Sequence, residues 1–171
     1  MDRIERWWKA SLAQTPETGT AEPVLALAEE CLAFHDLPWA TRLMGVAGLV
    51  HQMVGHETGI SVYVVSQPET RLAVVAGAGI TGPLTVAWRA PLAGMAASEG
   101  AVQFLGDPRA LPDYLGGWVG VTQAVAVPLV RQQRLAAVFE VRWHRPDASV
   151  GLVEIERIQA IAGLVANHWP Y

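Results

Sequence analysis

Few residues in this chain are of a type and spacing that suggest chemistry: one glycine run, five histidines, one cysteine and an acid inside an apolar strand pattern. Gly77-Ala78-Gly79-Ile80-Thr81-Gly82 fits the G-x-G-x-x-G spacing that, between a strand and a helix, brings backbone amides to a pyrophosphate. Pro83 directly follows the third glycine, and the preceding strand pattern reads as half of a hairpin and not of a βαβ unit. A loop is therefore expected in place of a nucleotide cradle. His51 and His56 are five apart, which places them about 140° from each other on a helix and prevents chelation of one metal from one face. His35, His144 and His168 fall at element ends, where capping or solvent-facing roles are expected. Cys31 has no partner for an intramolecular disulfide or a cysteine-based zinc cage, and it sits on an apolar helical stripe, so a small buried hydrophobe is expected. Ser98 reads as a helix-end residue, and no Ser–His–Asp arrangement is legible. Glu140 is different. An acid in mid-strand needs a partner if it is buried, and Arg89, Arg142 or a cationic ligand would serve.

The elements that position these residues follow from periodicity. Residues 1–13 carry Ile4, Trp7, Trp8 and Leu12 loosely on one side, and the polar stretch 14–22 reads as a linker, so residues 1–22 are set apart from a domain over 23–171. Val24, Leu27, Ala28, Cys31 and Leu32 predict a helix over 23–35. Leu43, Val46, Ala47, Val50 and Val54 predict a second over 39–54, stopped by Gly55. Strands are expected over 61–65 and 72–76, joined by a turn at 67–70. A looser region follows, with a short helix over 92–98, a strand over 101–105 and a short helix over 108–115. The strongest strand pair is 122–130 with 135–143, turned by 131–134, and a helix over 150–168 closes the chain. Hairpin-joined strands with helices at both ends predict an α+β fold: an antiparallel sheet, helices on one face and the irregular segment on the other.

Composition bounds the function. Of the 171 residues 51% are hydrophobic and only 16% charged, against about 25% in ordinary globular chains. Either both sheet faces are covered or part of the surface is an interface. The net charge of −4 and the lack of a Lys/Arg run remove the basic stripe that nucleic-acid binding needs. The apolar stretch 43–50 is far shorter than the roughly 20 residues that span a bilayer. The charged N-terminus lacks the apolar core of a secretory signal. A cytoplasmic protein with no cofactor, metal, membrane or nucleic-acid partner is expected.

The element order and several short strings resemble a GAF domain over about 37–168. The strings are Gly94-Met95-Ala96-Ala97-Ser98-Glu99-Gly100, then the strand segment 101–108, and above all Val125-Ala126-Val127-Pro128-Leu129 followed by a polar turn and residues 135–141. Ala137 stands where the family carries a strand glycine, a mild departure. The resemblance implies a small-molecule sensor or a dimerising module. It also implies where a ligand would sit, between the sheet and residues 77–120, near Trp88, Met95, Phe104, Asp107, Tyr114, Trp118, Gln123 and Glu140. Trp88, Phe104 and Trp118 either line such a pocket or fill it. Cysteine-dependent methionine sulfoxide reduction and cysteine-linked bilin binding, both found in the family, need pocket cysteines that residues 77–120 lack. With no catalytic constellation legible, the chain is expected not to be an enzyme. With no output domain, a signal is expected to pass through a homodimer or a separate signalling partner, and a ligand-free dimerisation module is the alternative reading.

Overall fold

The structure, a computed structural model, describes residues 21–66, 71–107, 109 and 119–170. Two helices come first, α1 (Ala21–Leu32) and α2 (Trp39–Val54). Each buries the stripe its periodicity requires: Val24, Ala28, Cys31 and Leu32 on α1, and Leu43, Val46, Ala47 and Val50 on α2. Gly55 ends α2 at φ +96°, and its N–H closes on the His51 carbonyl.

Six strands follow: β1 (Thr58–Ser66), β2 (Arg71–Gly79), β3 (Thr85–Ala87), β4 (Gln103–Leu105), β5 (Gln123–Arg131) and β6 (Arg134–Trp143). They form one sheet in the order β3-β2-β1-β6-β5-β4, antiparallel throughout. The short helix α3 (Ala93–Glu99) lies between β3 and β4, and α4 (Leu152–His168) closes the chain. Gln132 and Gln133 turn β5 into β6 with φ of 49° and 62°. Two successive left-handed residues match the twist of a tight hairpin even without glycine.

Alternation along β6 separates two cores. Ala137, Phe139, Val141 and Trp143 pack with α1, α2 and α4, while Val138 faces the smaller cluster of Tyr63, Leu72, Leu92, Ala93, Ala96 and Leu105 beneath α3. Three helices thus cover one face of the sheet, and α3 with its flanking loops covers the other, here termed the distal face. This is the α+β arrangement expected from the element order.

Some boundaries differ from the sequence reading. β2 runs on to Gly79, through two glycines expected in a loop, because its last residues pair with Gly59, Ile60 and Ser61 of β1. β3 was not foreseen, since three residues are too short for periodicity to register. The strand expected over 101–105 is reduced to Gln103–Leu105. The N-terminal tryptophans Trp7 and Trp8, the turn at 67–70 and, Arg109 apart, the short helix at 108–115 lie outside the described residues. Among the described residues no helix is long and apolar enough to cross a membrane.

Candidate functional site

On the distal face, β6 presents Glu140 and Arg142. β1 places Ser61 beside Glu140 and Gly59 beside Arg142, and β5 places Ala126 and Ala124 on the other side. All four cross-strand neighbours are small, which leaves room for two long charged side chains to lie on the sheet. Both are fully enclosed, Glu140 at 0% and Arg142 at 1% exposure. Arg142 Nη1 stands 3.5 Å from Glu140 Oε1. Its Nη2 donates to the Ile80 carbonyl at 3.1 Å, reaching into the loop that joins β2 to β3.

Two glycines make that reach possible. An added Cβ at Gly59 would meet Arg142 Nη2 at 2.7 Å and would also press on the Ile80 carbonyl oxygen; one at Gly82 would fall on the guanidinium itself. The guanidinium is therefore sandwiched between a strand glycine and a loop glycine. The third glycine of the G-x-G-x-x-G run seats an arginine and holds no phosphate loop, for no helix follows it. Gly79, the second, adopts φ +69° and lets the chain pass close to the Thr58 carbonyl and the His51 ring.

Burial dominates the electrostatics. It pushes the Glu140 carboxyl up to about 8, against the lowering influence first of Arg142 and then of the Ala93 amide. By hydrogen-bond geometry neither Glu140 oxygen has a donor among the described residues. Tyr63, two residues along β1 from Ser61, is pushed up to about 12 by burial and then by the nearby Glu140. Its hydroxyl donates to the Pro83 carbonyl at 3.0 Å.

Next to this polar cluster lies a cavity of about 350 Å³, bounded by Ser61, Val74, Gly77, Thr81, Gly82 and Leu84 among others. Ser61 belongs to both, since it lines the cavity and pairs with Glu140 across the ladder. Thr81, Gly82 and Leu84 cover part of the space, which is partly open to solvent. The walls are mostly apolar, with the Ser61 and Thr81 hydroxyls as polar exceptions, a balance usual for small-molecule sites.

The sequence-derived site residues fare unevenly. Glu140 lies at the centre, with Arg142 as its partner. Trp88 is half-buried against the distal cluster, and Met95 is half-buried on α3. Phe104 is displaced from the site: β4 turns Leu105 into the distal cluster and leaves Phe104 45% exposed. Asp107 is exposed and forms an ion pair with Arg109 at 2.9 Å, which holds its carboxyl below the ordinary range. Gln123 is occupied elsewhere, its Oε1 accepting from the Val150 amide at 2.9 Å to tether the approach to α4. Tyr114 and Trp118 lie outside the described residues. Sequence reasoning missed Ser61, Tyr63 and Gly82. The polar–apolar alternation of Ser61 and Tyr63 with Ile60 and Val62 was legible, but only the β1–β6 register sets it beside Glu140.

Cys31 is buried in the core on the helical face, where burial pushes its thiol up to about 12. No group of three or more His, Cys, Asp or Glu among the described residues is placed to hold a metal.

The architecture is that of a GAF-like α+β domain. It is similar to a GAF sensor protein described as putative from Burkholderia vietnamiensis, at TM-score 0.70 and 18% identity over 98% of this chain and 96% of that one. It is also similar to the GAF domain of an Acinetobacter phosphoenolpyruvate-protein phosphotransferase, at TM-score 0.74 and 12% identity over 88% and 93%. A third similar structure is the free methionine-R-sulfoxide reductase from Neisseria meningitidis in complex with its substrate, at TM-score 0.79 and 17% identity over 90% and 93%. No protein-family model and no curated protein matches the sequence.

The reductase requires a correction. The chain was expected not to be an enzyme because no catalytic constellation is legible in it. Structures of the same fold include enzymes, among them the Neisseria reductase and a type II free methionine-R-sulfoxide reductase from Thermoplasma acidophilum. The fold thus admits catalysis, and the lack of a familiar motif is no ground for excluding it.

Proposed function

We propose that this chain is a small-molecule-binding regulatory domain whose ligand lies on the distal face, between the Glu140–Arg142 pair and residues 80–84. The observation that carries the reading is a fully buried carboxyl that no donor among the described residues meets in a well-aligned hydrogen bond, one ladder position from a partly open cavity of about 350 Å³. A buried acid of this kind stands at a cost unless something donates to it. The cavity size and lining fit a small molecule with an apolar body against Val74 and Leu84 and a donor group, hydroxyl or ammonium, directed past Ser61 toward Glu140.

Native mass spectrometry of the purified protein tests this. A reproducible small-molecule mass retained under gentle conditions and lost on denaturation is expected. A bound donor that draws Glu140 into its ionised form makes a hydrogen bond to a charged group, worth about 1.5–3 kcal/mol, so Glu140→Gln, which cannot ionise, should weaken retention of that molecule at least tenfold. Retention by the variant equal to wild type would remove Glu140 from the site. A change in the mass of the molecule during incubation would mark conversion in addition to binding.

A second reading, assembly as a homodimer, is favoured by the outer faces of α1 and α4. Ala26, Ala160 and Gly163 are exposed there along a groove of about 540 Å³ flanked by Leu25 and Leu164. Small side chains let a helix of a second copy approach closely, and a two-fold axis would pair the same patch with itself. Among the described residues nothing outside the helix's own backbone lies within 4 Å of a Cβ at Gly163, so Gly163→Arg should leave the protomer intact. In analytical ultracentrifugation the wild type is expected as a dimer at micromolar concentration and Gly163→Arg as a monomer. A wild-type monomer, or a variant dimer, would dispose of this interface.

A further inference from the structure

The loop over the cavity is held down in an unusual way. Its ends are fixed by backbone bonds, Ile80 N–H to the Thr58 carbonyl at 2.9 Å and Val74 N–H to the Leu84 carbonyl at 3.0 Å. Between them the loop is gripped from below by two side chains rising from the sheet, Arg142 on the Ile80 carbonyl and Tyr63 on the Pro83 carbonyl. These side chains come from β6 and β1, distant in sequence from the loop, and both acceptors are main-chain carbonyls. Gly79 at φ +69° stands where the strand gives way to the loop, and Gly82 has no side chain to resist the guanidinium beneath it. On the outer side the loop carries apolar residues, with Ile80 40% and Leu84 66% exposed. Van der Waals anchorage on that side is therefore slight, and the two side-chain hydrogen bonds tie Ile80 and Pro83 down to the sheet.

We infer that residues 80–84 form a lid over the Ser61 end of the cavity, held down from the sheet floor by Tyr63 and Arg142, and that unlatching controls access to Ser61 and Glu140. The inference builds on the reading of this cavity as the ligand site, and it adds a mechanism of access. A latch of two polar bonds suits a gate: the Tyr63 bond is of ordinary strength and the Arg142 bond, from a charged group, is stronger, so the open state is a minor fluctuation that the loss of either bond makes more frequent. Glu140 Oε1 lies 3.5 Å from Arg142 Nη1, so a ligand donor that engages Glu140 acts beside the arginine end of the latch, and this couples occupancy to lid position.

Cysteine labelling tests the latch without any ligand. Ser61 is 3% exposed and lines the cavity. In a Cys31→Ala, Ser61→Cys protein, Ellman's reagent reaches the new thiol only when the lid opens. Adding Tyr63→Phe, which removes one hydroxyl and preserves the ring, should speed labelling about fivefold, the factor carried by one net hydrogen bond of ordinary strength. The control is the natural thiol: in the protein with Ser61 intact, Cys31 in the opposite core should label at the same slow rate with and without Tyr63→Phe. Acceleration at position 61 alone supports the latch. Equal acceleration at both thiols would mean that Tyr63 merely supports the fold, and an unchanged rate at position 61, or no labelling in either background, would mean that no latch opens there. Either result overturns the lid. Because no ligand enters the experiment, an empty pocket in mass spectrometry leaves this outcome standing, and a failed latch leaves the ligand measurement standing.

Discussion

Glu140→Gln is expected to flatten the dependence of stability on pH between about 4.5 and 8. Those bounds are the ordinary glutamate value and the value to which burial pushes this carboxyl. Across that window the unfolded chain releases the proton while the folded protein keeps it, so the folded state binds more protons and stability falls as pH rises. The contribution is fully present below the ordinary value and lost as pH passes through the folded value. Each pH unit within the window removes at most about 1.4 kcal/mol, so the whole fall amounts to several kcal/mol. Glutamine is close in shape and does not titrate, so the variant should match wild type near pH 4.5 and exceed it near pH 8.5. Urea unfolding at pH 4.5, 6.5 and 8.5 checks this. Parallel pH profiles for the two proteins would show that the carboxyl is ionised throughout, paired closely enough with Arg142 to offset its burial.

The same residue shows how far a sequence carries an argument of this kind. Glu140 attracts notice in the bare chain because it interrupts an apolar alternation, and Arg142 is its natural partner because i and i+2 share a face of a strand. That pairing needs only local geometry. The two-faced packing of the sheet was legible for the same reason, as was α2, whose stripe of Leu43, Val46, Ala47 and Val50 is bounded by Pro38 and Gly55. What local geometry does not supply is register. Ser61 comes to rest beside Glu140, and Gly59 beside Arg142, only because β1 lies next to β6 in the middle of the sheet although four other strands come between them in the chain. The glycine run misled for a related reason. Its spacing suggests a local motif, while the demands on it are non-local: the β1 ladder, the His51 ring and the Arg142 guanidinium. Phe104 and Leu105 show the opposite failure. In a three-residue strand one step of phase decides which side chain faces the core, and so short a run gives periodicity nothing to work on.

Gly59→Ala should be among the most damaging single-methyl additions in this protein, and Gly163→Ala, the same change in the middle of α4, should be stabilising. At Gly59 the new Cβ presses on the Ile80 carbonyl oxygen, a backbone atom, and lies 2.7 Å from Arg142 Nη2. The strand cannot yield, because β1 is bonded on both sides, to β2 and to β6. The loop must therefore rise, and when it does the Ile80 carbonyl leaves the guanidinium. Arg142 is then enclosed with less to accept its hydrogens, beside a carboxyl that favours the neutral form. Overpacking of a tight site costs about 1–3 kcal/mol, and disturbing a buried ionic group about 3–5 kcal/mol, so a loss of roughly 3 kcal/mol or more is expected. At Gly163 nothing among the described residues, the helix's own backbone apart, stands within 4 Å of the added carbon, and a helix interior prefers alanine to glycine by about 0.5–1 kcal/mol. Urea midpoints at one protein concentration, low enough that the protein is monomeric, with unchanged transition slopes, compare the two directly. A Gly59→Ala protein as stable as wild type would mean that the guanidinium does not cross β1 through the gap this glycine leaves, and the roof of the cavity would then have to be held by Tyr63 alone.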